Sequence, residues 1–212
     1  MYSREEKKQR NKNALICAAL TLTAQKSCFS NIGLREITRH VGLVPATFYY
    51  YFPNMESLGL ELIDYAVLKS EKILYEFQAE FLLSRTNERL VEIIDHFYHM
   101  VEKTPEIWIF LMTEHLKGST ALKQKVDQEF YFLVDTFTQR FHEALPIENW
   151  EETEALAELF LKFCTDKAIT WVQDSESLTG DDLVQRQAKL KQQTYLQLQM
   201  IFKPFLICPK QT

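Results

Sequence analysis

The sequence predicts an all-α protein of about nine helices. Three observations carry that prediction. Apolar residues recur at three- and four-residue intervals along most of the chain, the period of a helix with one buried face. Only five Gly and six Pro occur in 212 residues, too little turn punctuation for a sandwich or barrel of short strands. Those few breakers, together with Asn, Ser and Thr, stand where helices must begin and end. There is no strand pattern and no internal repeat.

Residues 5–27 predict the first helix, with charge early and then Leu15, Ala18, Ala19 and Leu22 along one face. Residues 34–41 predict the second, with Gly33 at the N-cap and Glu36 in the acidic place of a capping box. Gly42 fits the left-handed residue that closes such a helix. Pro45 fits the first turn of the third, where an N–H has no intrahelical partner. Asn54 caps a fourth helix over about 55–82, with Leu58, Leu62, Tyr65 and Leu68 on one side. Thr86 starts a helix to 102, and Thr104-Pro105 starts another ending near Lys117-Gly118. Ser119 opens a long helix to about Ala144, stopped by Pro146. Asn149 caps a helix to about Asp174, residues 175–181 form a polar loop, and a final helix is ended after Lys203 by Pro204.

The bulk numbers match an ordinary globular chain, 46% apolar and 25% charged. No apolar run approaches the roughly 18 residues needed to cross a bilayer, and the N-terminal residues are polar. A cytoplasmic protein without a membrane partner is expected. Cys17, Cys28, Cys164 and Cys208 show no C-x-x-C spacing and read as free thiols. The net charge of −5 conceals an asymmetry. Residues 1–53 carry eight basic and three acidic groups, a local charge of +5, and the remainder carries −10. A basic head on an acidic body meets the requirement for local attraction to phosphates.

The segment from Gly33 to Leu60 reads as two short helices joined by a tight turn, followed by a long helix. The second short helix presents Thr47, Phe48, Tyr49, Tyr50, Tyr51 and Phe52. Three consecutive tyrosines are poor core material, because each buried hydroxyl needs a partner. A surface that touches phosphates and base edges can use them, as in a helix-turn-helix DNA reader. Phe48 and Phe52, wholly apolar, are expected as plugs against the first helix. Thr47 and Tyr50 are candidates for base-edge or thymine-methyl contact. Arg35 and Arg39 are candidates for phosphate contact, with a solvated surface role as the alternative.

These residues resemble the TetR family of bacterial repressors, whose heads carry a pattern close to T-V-R-E-I-A-x-x-A-G-V-S-x-G-T-L-Y-x-H-F. Leu34, Arg35, Glu36, Ile37, Gly42, Leu43, Thr47, Tyr49 and Phe52 fall in register with it, and the likeness covers about residues 10–60. It implies a DNA-binding set of Arg35, Arg39, Pro45, Ala46, Thr47, Tyr49, Tyr50 and Tyr51, with Tyr49 and Tyr51 offering hydroxyls to phosphates. The chain departs from the pattern at four places. Gly33 replaces a hydroxyl cap, Val44 a capping Ser, Tyr51 a His, and Met55 a phosphate-binding Lys. The resemblance divides the chain into a helix-turn-helix head, residues 1–53, and a helical ligand-binding and dimerisation body, residues 54–212.

The body is rich in large aromatics, which read first as core. Large aromatics between crossing helices also line apolar cavities. Trp108, Met112, Phe130, Phe137 and Phe163 are the candidates for an effector pocket. The segment Leu111 to Val126, LMTEHLKGSTALKQKV, with the head motif and the Leu58-Gly59-Leu60 step, is similar to the TetR subgroup that represses unsaturated fatty acid synthesis. That similarity implies an acyl thioester as effector. Apolar stripes in the last two helices, including Leu156, Phe160 and Leu198, pack either within the chain or, as the family implies, in a four-helix homodimer interface.

No nucleophile motif, P-loop, Gly-rich cofactor turn or metal motif appears, so no catalytic residue, cofactor or metal is expected. His96 and His99 have metal-compatible spacing but lack further ligands. Glu114-His115 is the one polar pair that keeps a helical enzyme acting on lipid-like substrates in view. The expected function is a dimeric, ligand-responsive repressor binding operator DNA. The alternatives are a repressor of an efflux or catabolic operon sensing another apolar molecule, and a helical lipid-binding protein or enzyme.

Overall fold

A computed structural model describes residues 3–26, 28–83 and 87–206. Among them every regular element is helical. The order is α1 (Arg4–Lys26), a 3₁₀ turn (Phe29–Asn31), α2 (Leu34–His40), α3 (Pro45–Phe48), α4 (Met55–Leu83), α5 (Asn87–Glu102), α6 (Pro105–Lys117), α7 (Thr120–Ala144), α8 (Trp150–Ser177) and α9 (Gly180–Leu206). None of these helices is long and apolar enough to cross a membrane. The expected cap at Thr86 and the thiol of Cys208 lie outside the described residues.

The caps explain where the helices start and stop. Asn54 Oδ1 accepts from the Ser57 N–H at 2.8 Å and Asn149 Oδ1 from the Glu151 N–H at 2.8 Å, each satisfying a donor the first turn leaves unpaired. The 3₁₀ turn was not legible from sequence. Pro204 does not stop the last helix, which continues to Leu206. A proline in a final turn removes one backbone bond where the ladder is ending anyway.

The chain forms two compact units, and α4 and α7 are each divided between them. The first comprises the residues through Lys69 together with Glu106–Glu129. Its core includes Leu15, Ala19, Ile37, Phe48, Phe52, Leu58, Leu62 and Phe110, all fully buried. Gly59 permits a close approach here, because a Cβ at this position would stand 2.9 Å from both Phe29 Cε1 and Leu122 Cδ2. Lys125 bridges Asp64 at 2.8 Å and Glu129 at 2.5 Å. Leu68, expected on the buried side of α4, is exposed. It lies about 100° around the helix from the buried Val67, and the inward face follows Ile63, Ala66 and Val67 instead.

The second unit comprises Ser70–Pro105 and the residues from Phe130 onward. Here α5, α8 and α9 pack on one another. Phe160 lies at the centre of a ring cluster, with Phe77, Phe137, Phe141 and Phe202 at centroid distances of 5.9, 6.1, 5.4 and 6.0 Å. Tyr98 stacks on Trp171 at 4.2 Å and its hydroxyl meets that of Thr194 at 2.6 Å. Thr194 commits its own proton to the Leu190 carbonyl, so Tyr98 is the donor in that pair. Not all of the body's large aromatics are core, since Tyr131 is exposed on α7.

Candidate nucleic-acid interface

The head is assembled from α1, α2 and α3, with α2 packing on both its neighbours. Its turn follows from Gly42, whose φ of +70° places it in the left-handed region. The Leu43 N–H then donates to the Thr38 carbonyl at 2.8 Å and the Gly42 N–H to the Arg39 carbonyl at 3.2 Å. These two bonds form a Schellman motif, which ends α2 and aims the chain into α3. Val44 takes an extended conformation and Pro45 occupies the first turn of α3, as expected. Gly33 is extended at the start of α2 and brings no side-chain cap.

Glu36 supplies the acidic half of a capping box, accepting from the Gly33 backbone, and Gly33 has no side chain to supply the other half. Glu36 also pairs with Lys26 of α1 at 2.7 Å, and that bond holds its carboxyl below the ordinary carboxylate range. The contact ties α2 to α1.

The aromatic segment divides by depth. Phe48 and Phe52 are fully buried and their rings lie 5.4 Å apart. Tyr49 and Tyr50 keep 64% and 61% of their surface exposed, and Tyr51 is half-buried. The expected helix is shorter than the segment, since α3 ends at Phe48 and the tyrosines lie in the turn after it, where the Phe52 N–H donates to the Phe48 carbonyl at 3.0 Å and brings the two phenylalanines to one side. Arg35, Arg39, Pro45 and Ala46 are exposed and Thr47 is half-buried, so all eight residues of the expected DNA-binding set belong to α2, α3 and the turn that follows. The structure adds Lys8, missed by sequence reasoning, whose ammonium lies 5.4 Å from the Tyr50 ring. The one sequence signal for it was the basic run at the start of α1. Lys12 is engaged by Glu61 at 2.6 Å.

The other expected site residues have definite places. Trp108 is buried and Met112 half-buried in the first unit. Phe130 and Phe163 are half-buried and Phe137 fully buried in the second. Leu156, Phe160 and Leu198 are all buried inside the chain. The apolar residues that α8 and α9 leave exposed are Leu159, Val184, Leu196 and Met200. His96 and His99 are both exposed, and no group of three or more metal-capable side chains occurs among the described residues. Glu114 is buried, with Oε1 accepting from the Phe29 N–H at 3.1 Å, and burial pushes its carboxyl above the ordinary range. His115 turns outward to Asp127 at 3.1 Å, so the two do not converge as an acid–base pair.

Comparison with known proteins accords with this geometry. The family of bacterial regulatory proteins, tetR family, matches over residues 15–62. An uncharacterised HTH-type transcriptional regulator of Haemophilus influenzae is 27% identical over 136 residues, a stretch covering 64% of this chain and 65% of that protein's length. A transcriptional regulator from Aquifex aeolicus VF5 superposes with a TM-score of 0.63 at 19% identity, over 90% of this chain and 99% of that one. FadR from Bacillus subtilis, solved in complex with stearoyl-CoA, superposes with a TM-score of 0.58 at 16% identity, over 86% of this chain and 96% of that one. These relatives are described as regulators, not enzymes. Residues 15–62 thus match the head of the tetR family of bacterial regulatory proteins, and the all-α fold is shared with the solved regulators.

Proposed function

We propose that the chain is a homodimeric, ligand-responsive transcriptional repressor that docks α2 and α3 on operator DNA. The observation that carries this reading is the division of the aromatic segment: Phe48 and Phe52 are fully buried while Tyr49 and Tyr50 stay in solvent. Exposed tyrosines held by a rigid apolar base suit a groove-reading helix, and the +5 charge of residues 1–53 supplies the phosphate attraction. The second copy docks through the face where α8 and α9 expose Leu159, Leu196 and Met200. A two-fold dimer matches a palindromic operator, whose half-sites lie roughly 34–36 Å apart. An effector that binds better to one head spacing than the other shifts the population between them.

The proposed effector is a long-chain acyl thioester. The resemblance over residues 111–126 and the aromatic richness of the second unit support it. The Bacillus subtilis neighbour solved with stearoyl-CoA shares the fold and agrees with that choice.

The test is a gel shift with DNA from upstream of the encoding gene, with and without stearoyl-CoA. A retarded complex that stearoyl-CoA alters is expected. Absence of any complex at low salt defeats the repressor reading, whereas a complex indifferent to acyl-CoA removes only the ligand class.

A further inference from the structure

We propose that Gln78 and Arg140 form the polar end of an effector site in the second unit, one that receives the acyl oxygen of a long apolar chain. The inference rests on the acyl-ligand reading above and names the side chains that recognise the ligand's head.

Gln78, on α4, is fully buried, and Arg140, on α7, is half-buried. Arg140 Nε donates to Gln78 Oε1. A guanidinium has donors only, so this bond fixes the orientation of the amide: the oxygen faces the arginine and the NH₂ lies at the other end. That NH₂ is buried and has no hydrogen-bond partner among the described residues. Unpaired buried donors are rare in native proteins, and each calls for an explanation. Arg140 is itself braced, its guanidinium 3.5 Å from the centroid of the Tyr75 ring, and no carboxylate pairs with it among the described residues. The pair therefore offers unused N–H groups beside an uncompensated positive charge. Their complement is an oxygen acceptor bearing full or partial negative charge.

The surroundings supply the rest of the ligand's chemistry. Phe77, next to Gln78, lies against Phe160, and Phe141, next to Arg140, lies 5.4 Å from Phe160 and 5.6 Å from Phe202. Phe81, one turn beyond Gln78, meets Phe202 at 4.6 Å. Donors at the border of an aromatic cluster fit an amphiphile with a carbonyl or carboxylate head and an apolar tail. A free fatty acid and an acyl thioester share that head.

The experiment is calorimetric titration of the full chain with palmitate and, separately, palmitoyl-CoA, using wild type, Gln78→Met, Arg140→Met and Gln78→Glu. At least one ligand is expected to bind wild type and to lose tenfold or more in affinity to both methionine variants. Gln78→Glu pairs with Arg140 and is expected to reject palmitate while remaining folded. Tenfold losses for palmitate assign the head to a carboxylate, and losses confined to palmitoyl-CoA assign it to a thioester carbonyl. Unchanged affinity in Gln78→Met overturns the inference and leaves the acyl reading standing. Failure of both ligands to bind wild type overturns both.

Discussion

Glu114 accepts the Phe29 backbone N–H at 3.1 Å, joining residues 85 apart in sequence through a bond buried from solvent. One carboxyl oxygen thereby satisfies the backbone of the 3₁₀ turn that leads into α2. Gly118 makes room for this arrangement, since a Cβ there would stand 2.4 Å from the Glu114 carbonyl oxygen and 2.9 Å from Oε2.

The buried carboxyl gives a pH dependence with a definite sign. Burial raises the folded-state pKa of Glu114, so its ionised form is a cost at pH values above that raised value. The cost vanishes below the ordinary carboxylate range, where folded and unfolded forms are both protonated. Glu114→Gln keeps an acceptor for Phe29 and removes the charge. It is expected to match or exceed wild-type stability at neutral pH and to lose that advantage as the pH falls through the carboxylate range. Urea unfolding at a series of pH values reads the difference, and an advantage that grows toward acid contradicts the assignment.

The turn of the head depends on Gly42. A side chain at φ +70° is expected to cost about 1–2 kcal/mol, so Gly42→Ala lowers stability by that order and Gly42→Asn by less. Both are measured by chemical unfolding. If alanine is tolerated freely, the left-handed geometry of the turn is not what the head requires.

The two classes of proposed DNA contact separate by their sensitivity to sequence. Arg35→Ala is expected to weaken binding to all sequences alike and to reduce the salt slope by about one. Tyr50→Ala is expected to change the ranking of operators, with individual preferences moving by about 1–3 kcal/mol. Fluorescence anisotropy against a panel of operator variants over a range of salt separates them. Equal effects of Tyr50→Ala on every sequence would assign it to the backbone instead.

The proposed dimer face distinguishes exposed from buried positions on one helix. Leu196→Asp and Met200→Asp place charge on an exposed stretch of α9 and are expected to give folded monomers. Leu198→Asp buries a charge without a partner and is expected to unfold the chain. Sedimentation and circular dichroism together read the outcome, and folded dimers in Leu196→Asp and Met200→Asp would move the interface elsewhere.

The sequence by itself determined the helical class, nearly every helix boundary, the glycine turn and the buried or exposed fate of the aromatic segment. Those features are local. A cap, a left-handed glycine or an N1 proline acts within one turn of chain, and the pairing of Phe48 with Phe52 needs only the single coil of backbone closed between those two residues. The tertiary structure decided what depends on a distant partner. The turn at Phe29–Asn31 has its amide satisfied by Glu114, and Glu36 finds Lys26 on another helix as well as the start of its own. Helix phase was the other undecided quantity. Where a helix is apolar on several sides, its neighbours choose which side turns inward, so Leu68 lies outside and Phe160 and Leu198 lie within. The Gln78–Arg140 pair joins residues 62 apart whose types carry no motif, and only the packing of α4 and α7 brings them into contact.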